Sequence, residues 1–153
     1  MAKPAIPASI VRTLRELRDR TVPLFDVSER MLASRYRNGG WTARQVLVHL
    51  SDVEAVFLER MRRLLAQDKA LLMAIDPDAW ADRLGYATRD LGVVQAQFVA
   101  ARSSIIELIE MHRGEAGRCA VHSEAGLVTF ADLAKKVEWH HRHHLEQIEP
   151  VLA

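Results

Sequence analysis

The chain has 153 residues, of which 49% are hydrophobic and 27% charged, and its 21 Lys and Arg residues nearly balance its 20 Asp and Glu residues. This length suits one domain with a core of its own, and we expect a single domain over residues 1–153. The net charge of +1 argues against a nucleic-acid-binding protein. No apolar run approaches the ~18 residues of a membrane span and no secretory signal is evident, so we expect a cytoplasmic protein without membrane insertion.

The start of the chain predicts two helices and a loop. Apolar residues at spacings of three and four predict a helix over about 5–21, which Pro23 stops or kinks. Asp26-Val-Ser-Glu29 has the order of a helix cap followed by an acid, and it predicts a second, short helix. Asn38-Gly-Gly40 is a loop signal.

A long helix is then predicted to begin at Thr42. Thr42 and Gln45 fit a capping box, in which the two side chains satisfy each other's open backbone donors. The helix continues as one apolar stripe that ends near residues 66–68: Val46, Leu50, Val53, Phe57, Met61 and Leu64. A long connection over 67–88 follows, in which Pro77 opens one helical turn.

Two more long helices complete the prediction. One covers about 89–112 and ends before Gly114, after which a loop or short hairpin covers 113–128. The last helix opens at the capping pair Thr129 and Asp132 and runs to about Glu149, where Pro150 closes it. Four long amphipathic helices in a chain of this length predict an all-α fold, a four-helix bundle.

Four of the seven histidines lie within five residues of the last predicted helix. An advance of ~100° per residue puts His144 on the buried stripe, His140 and His141 at its two margins, and His143 outside it. His140 and His144 stack one turn apart, with Cβ atoms ~5–6 Å from each other, so both rings can reach one metal ion. His141 with His144 is a poorer alternative that periodicity leaves open.

His49 is the natural third ligand. It falls on the inward arc of its helix, ~10 Å from the helix start, whereas His144 lies ~8 Å from the end of the last helix. If these two helices are antiparallel, the depths match and one ion can contact all three rings. A single histidine on an apolar stripe is more typical of a hydrogen-bonded core residue, so the metal interpretation depends on this convergence.

Two segments resemble the signatures of a known family. Gly40-Trp-Thr-Ala-Arg-Gln-Val-Leu-Val-His49-Leu-Ser-Asp52 resembles helix two of the DinB/YfiT-like superfamily, where a Trp-Ser/Thr-x-Arg-Gln/Glu-Val run leads to a metal-binding His and then Leu-x-Asp. Trp139-His140-x-x-His143-His144-x-x-x-Ile148 resembles its helix four, whose first and last histidines are ligands. The resemblance implies a four-helix bundle, often a homodimer, with His49, His140 and His144 on one divalent ion.

The resemblance also implies chemistry on a small-molecule substrate. Members look like metal-dependent hydrolases or like transferases that use a low-molecular-weight thiol as co-substrate, and zinc or nickel is the expected ion. Three imidazoles leave a coordination position open, which is typical of a catalytic site. Two alternatives remain: a non-catalytic metal- or ligand-binding bundle of a stress response, and a purely structural helical dimer with surface histidines.

Other side chains near these motifs receive no catalytic role. Asp52 could orient a ligand ring or accept a proton, although a solvated acid is the simpler interpretation, and Glu138 and Glu146 could support the histidines. Trp139 is expected to face outward, toward a dimer partner. Trp41 is expected to anchor the start of its helix, and the connections over 67–88 and 113–128 to shape the pocket mouth. Cys119, the only cysteine, is interpreted as an ordinary small side chain.

Overall fold

Four long helices dominate the computed structural model, which describes residues 4–153. In chain order the helices are α1 (Ala8–Thr21), α2 (Glu29–Leu32), α3 (Ala43–Ala66), α4 (Pro77–Arg83), α5 (Leu91–Met111) and α6 (Phe130–Leu152). The strands are β1 (Leu71–Leu72), β2 (Cys119–His122) and β3 (Gly126–Thr129). Helix α3 packs against α5 and α6, and α1 packs on the same two helices, which confirms the predicted four-helix bundle.

A small sheet accompanies the bundle. Strand β2 pairs with β3 in an antiparallel hairpin, which is one of the two forms expected over 113–128. Strand β1 pairs in parallel with β2, although only a helical turn was expected between residues 67 and 88. Two residues are too few to show an alternating pattern, so β1 has no signal in the sequence.

Both predicted capping boxes are present. At the start of α3, Gln45 N–H donates to Thr42 Oγ1 (3.2 Å) and Thr42 N–H donates to Gln45 Oε1 (2.9 Å). At the start of α6, Asp132 N–H donates to Thr129 Oγ1 (3.1 Å) and Thr129 N–H donates to Asp132 Oδ2 (2.9 Å). These bonds satisfy backbone donors that the first turn of a helix leaves open. They determine where the two histidine-bearing helices begin.

One predicted helix end is wrong. Pro150 was expected to close α6, but the helix continues through it to Leu152. A proline removes one backbone hydrogen bond and crowds the preceding turn. Leu152 is buried in the same apolar cluster as Ile148, and burial of its side chain offsets the lost bond. At the other end of the chain α1 begins at Ala8, after the extended Pro7, and a 3-10 turn over Val22–Asp26 contains Pro23.

The predicted apolar stripe of α3 forms the centre of the bundle. All six of its members are buried: Val46, Leu50, Val53, Phe57, Met61 and Leu64. The last four of these residues, from Val53 to Leu64, pack with apolar residues of α1, α5 and α6. The first two, Val46 and Leu50, pack in a second cluster with Phe98 and Ile148. Helix α3 is therefore held on several sides, which restricts the direction in which its remaining side chains point.

A buried polar network links all four long helices. Arg102 of α5 is fully buried, and its guanidinium donates to both carboxylate oxygens of Glu54 on α3 and to the Leu14 carbonyl on α1 (2.9 Å). It also donates to Nδ1 of His141 on α6 at 2.7 Å. Since Nδ1 accepts, the neutral His141 ring carries its proton on Nε2 and donates it to Thr21 Oγ1 at 2.7 Å. The network therefore determines both the rotation and the height of α6 in the bundle.

Candidate metal centre

Three histidine rings from two helices meet in one cleft. His49 Nε2 lies 3.0 Å from His140 Nε2, and the ring centroids of His49 and His144 are 4.7 Å apart. Between His140 and His144 the centroids are 4.6 Å apart. One nitrogen from each ring belongs to a group whose members all lie within 4.8 Å of one another, and within residues 4–153 no other set of His, Cys, Asp or Glu meets this condition.

The antiparallel arrangement of α3 and α6 brings the rings to the same depth. His49 near the start of α3 contacts His144 near the end of α6, and farther along α3 the Phe57 ring lies 5.9 Å from His140, one turn earlier on α6. Helices α3 and α6 therefore run in opposite directions where they touch. The sequence analysis required this antiparallel arrangement for His49 and His144 to lie at the same depth in the bundle.

Each ring has a different surrounding. His49 is 4% exposed, lies 5.0 Å from the Trp41 ring, and its Nδ1 has no hydrogen-bond partner among the described residues. His144 Nδ1–H donates to Gln147 Oε1 at 2.8 Å, which leaves the lone pair of Nε2 free for a ligand bond. The sequence analysis did not identify Gln147 as part of the site. Its position three residues after His144, on the same helix face, is the signal that could have revealed it.

Burial keeps the three rings neutral. Removal from water lowers the pKa of His49 to about 3, and the neighbouring His144 adds to this effect. Burial likewise lowers the pKa of His140 to about 2, with further contributions from His144 and His49. It also lowers the pKa of His144, against the opposing hydrogen bond to Gln147. Neutral imidazole is the form that binds a metal ion, so no proton has to leave these rings near neutral pH.

The lowered pKa values predict acid sensitivity of the metal-free protein. In the unfolded chain these histidines bind protons near pH 6.5, whereas folded His49 stays neutral down to about pH 3. Stability is therefore fully present above pH 6.5 and is lost as the pH falls below it, by about 1.4 kcal/mol per pH unit for each such ring. Urea unfolding of chelator-treated protein between pH 7.5 and 5 measures this slope. A His140→Leu variant should have a shallower slope, and a flat wild-type profile would contradict the prediction.

His141 and His143 lie outside the cluster. The expectation that His144 is the most inward ring of α6 is wrong, because His141 is 1% exposed and belongs to the Arg102 network. Ala134, Leu145 and Leu152 are buried too and move the centre of the buried arc by ~30° toward His141. His140 and His144 therefore lie at its margin, beside α3. His143 is exposed and stacks on Trp139 at 5.2 Å.

The interpretation of Asp52 as a solvated acid is wrong. Asp52 is 8% exposed, accepts from Gln97 Nε2 at 3.1 Å and lies 3.6 Å from Arg89. Burial raises the pKa of Tyr86, and the nearby Asp52 carboxylate raises it further. Asp52 is not one of the clustered ligand atoms and does not line the histidine cleft, so its contacts are structural.

The acids and the cysteine considered above have no role at the cluster. Glu138 pairs with Arg142 at 2.8 Å. Glu146 and Cys119 are exposed. Trp139 is 55% exposed, as expected, and the homodimer in which it was to be buried stays a prediction.

The cluster opens into a cleft of about 850 Å³. Its lining includes Gly40 and Trp41 from the segment before α3 and several residues of α6. Ile75, Pro77 and Asp78 come from the 67–88 connection, as expected. The 113–128 hairpin instead lines a neighbouring cavity through residues such as His122 and Val128, so its expected place at this mouth is wrong.

Among the described residues 4–153, none of the helices is long and apolar enough to span a bilayer.

A helical bundle in which three neutral histidines converge on a cleft defines a class of protein with a candidate divalent-metal site. A sequence model described as the DinB superfamily matches residues 13–148, which is most of this chain. The chain belongs to the DinB superfamily, which confirms the family that its sequence resembles.

Two similar proteins carry functional names. A protein of Oceanobacillus iheyensis named "Putative metal-dependent hydrolase" is 26% identical over 128 residues, covering 82% of this chain and 73% of that protein. Another of that name, YfiT of Bacillus subtilis, is 23% identical over 126 residues, covering 80% and 70%. The structure titled "YfiT from Bacillus subtilis is a probable metal-dependent hydrolase with an unusual four-helix bundle topology" superposes with a TM-score of 0.82 at 22% identity, over 94% of this chain and 83% of that one. At this identity the superposition supports the fold.

Proposed function

We propose that this protein is a metal-dependent hydrolase of a small molecule, with one divalent ion bound by His49, His140 and His144. The observation that carries the proposal is the convergence of three ring nitrogens within 4.8 Å in an accessible cleft. Nitrogens on one tetrahedral zinc ion at ~2.0–2.1 Å are ~3.3 Å from each other, so small side-chain rotations adapt this group to the ion. Zinc or nickel suits a donor set of imidazoles.

The protein's own residues prepare the site for catalysis. A divalent ion bound there supplies Lewis acidity, which polarises a substrate carbonyl and lowers the pKa of water. With three histidines of the described residues as its ligands, such an ion would keep part of its coordination sphere free for substrate. Gln147 holds His144 in one tautomer through its Nδ1–H, and Trp41 covers one side of His49. These contacts orient the rings.

Transfer of a thiol group is the second candidate. A cleft of about 850 Å³ lies within the size range of pockets for drug-sized ligands, so it has room for a small thiol beside an electrophilic acceptor. A divalent ion favours the thiolate form of a bound thiol, which is the nucleophile in such a reaction. The same three imidazoles serve both reactions, and only the co-substrate distinguishes them.

Metal analysis of untagged protein tests the proposal. We expect close to one zinc or nickel ion per chain after extensive dialysis, and a lower melting temperature after chelator treatment. Activity screens then compare ester and amide hydrolysis with consumption of an electrophile in the presence of a low-molecular-weight thiol. Metal-free protein with unchanged melting in chelator would contradict the metal site. Bound metal without turnover in either screen would favour the non-catalytic bundle.

Gln147 offers a sharper test of how the ligands are oriented. Gln147→Leu removes the acceptor for His144 Nδ1–H, and we expect a loss of ~10–100-fold in metal affinity, as is usual when such a partner is removed. Gln147→Glu keeps an acceptor oxygen at the same position and should retain the affinity. Competition with a chromogenic chelator measures both variants. Equal affinities for the two variants would exclude a role of this hydrogen bond.

A further inference from the structure

Three cationic side chains line the same cleft as the histidines. They are Arg37 in the segment before α3, Arg60 on α3 and Lys136 on α6. Within residues 4–153, none of the three has a carboxylate oxygen within 4.0 Å. Asp78 is the acidic residue of the lining. Because the imidazoles are neutral, the cleft carries an excess of positive charge before any metal ion is bound.

Arg60 lies close to the histidine cluster. Its Cζ is 5.8 Å from the centroid of the Phe57 ring, which in turn is 5.9 Å from His140. One terminal nitrogen of Arg60 donates to the Met73 carbonyl at 2.6 Å, while its Nε is buried without a hydrogen-bond partner in the described part of the chain. Burial lowers the pKa of Arg60, against the opposing effect of nearby glutamates. A buried donor without an acceptor is costly, and Nε is closed to solvent, so a ligand gains affinity from it where the Arg60 side chain moves to meet an acceptor.

The other two cations rest on aromatic rings. Lys136 is exposed one turn before His140, and its Nζ lies 4.2 Å from the Trp139 ring centroid. Arg37 Cζ lies 5.5 Å from the Tyr36 ring. A cation over a ring keeps its charge available to a ligand, whereas a carboxylate partner would neutralise it. The cleft thus presents positive groups beside apolar rings that can hold the body of an organic molecule.

We propose that the substrate is a small organic anion, with its charged oxygen group bound by Arg60 and Lys136 and its apolar part against Phe57 and Trp139. The inference rests on the proposed function in naming the anion a substrate, but its binding is independent of the metal ion. Charge-assisted hydrogen bonds from the two cations then orient the molecule toward the histidines, since Lys136 lies one turn before His140. A neutral analogue of the same shape lacks this interaction.

Ligand binding to chelator-treated protein tests the proposal apart from the metal site. Phenylacetate and phenylacetamide have the same shape and differ in charge, and NMR titration measures both affinities. We expect phenylacetate to bind about tenfold more tightly and to lose this advantage at high salt. Phenyl phosphate distinguishes a phosphate from a carboxylate preference. Equal binding of acid and amide, or binding of neither, would overturn the proposal whether or not metal binds the histidines.

Matched variants identify the side chains that bind the anion. Arg60→Gln with Lys136→Gln should abolish the preference for the acid, and Lys136→Gln alone, at an exposed position, should reduce it without risk to folding. Lys135→Gln removes the same charge from an exposed neighbour that does not line the cleft and should leave the preference unchanged. A preference that survives the double substitution, or that Lys135→Gln reduces equally, would also overturn the assignment.

Discussion

Alanine at His144 is expected to abolish binding of the divalent ion. The substitution removes one of three imidazoles, and the remaining pair cannot close a tetrahedral site, so the affinity should fall by more than the ~100-fold that loss of an orienting partner costs. His49→Ala should have the same effect, although His49 lies on a different helix. Metal content by mass spectrometry and affinity by chelator competition measure both variants.

The adjacent histidine provides the control. His143 is exposed, lies one residue from His144 and is not part of the clustered group, so His143→Ala should retain the ion. A run of surface histidines that scavenges metal would lose affinity equally at either position. Full occupancy in His144→Ala would refute the ligand assignment, and circular dichroism establishes that each variant is folded.

Methionine at Arg102 is expected to destabilise the fold by about 3–5 kcal/mol, the usual cost of removing one partner from a buried ion pair. Glu54 is 3% exposed and would be left as a buried charge without its guanidinium. His141 and the Leu14 carbonyl would each lose a donor as well. Urea unfolding monitored by circular dichroism measures the loss.

Two comparison variants define the cause of that loss. Arg15→Met breaks an ion pair whose side chains are 47% and 46% exposed, and it should cost at most about 1 kcal/mol. Arg102→Met combined with Glu54→Leu removes the stranded charge and should recover part of the stability. If Arg15→Met and Arg102→Met cost the same, the buried network does not hold the helices together.

Local signals determined most of the helix boundaries. The capping boxes at Thr42 and Thr129 involve side chains three residues apart, so their bonds form within one turn and the sequence displays them directly. The apolar stripe of α3 is equally local, because a period of ~3.6 residues puts its members on one face. Strand β1 and the continuation of α6 through Pro150 were missed, since pairing with β2 and burial of Leu152 involve distant residues.

The sequence by itself determined that His49 faces inward and that His140 and His144 share one face of α6. Only the tertiary structure decided that α6 buries His141 at the centre of its arc and turns the other two rings toward α3. The physical reason is the partner of His141: Arg102 lies 39 residues earlier on α5, and its hydrogen bond selects one rotation of α6 among those that periodicity leaves open. The same packing decides which cations border the cleft, because Arg60 and Lys136 come from different helices.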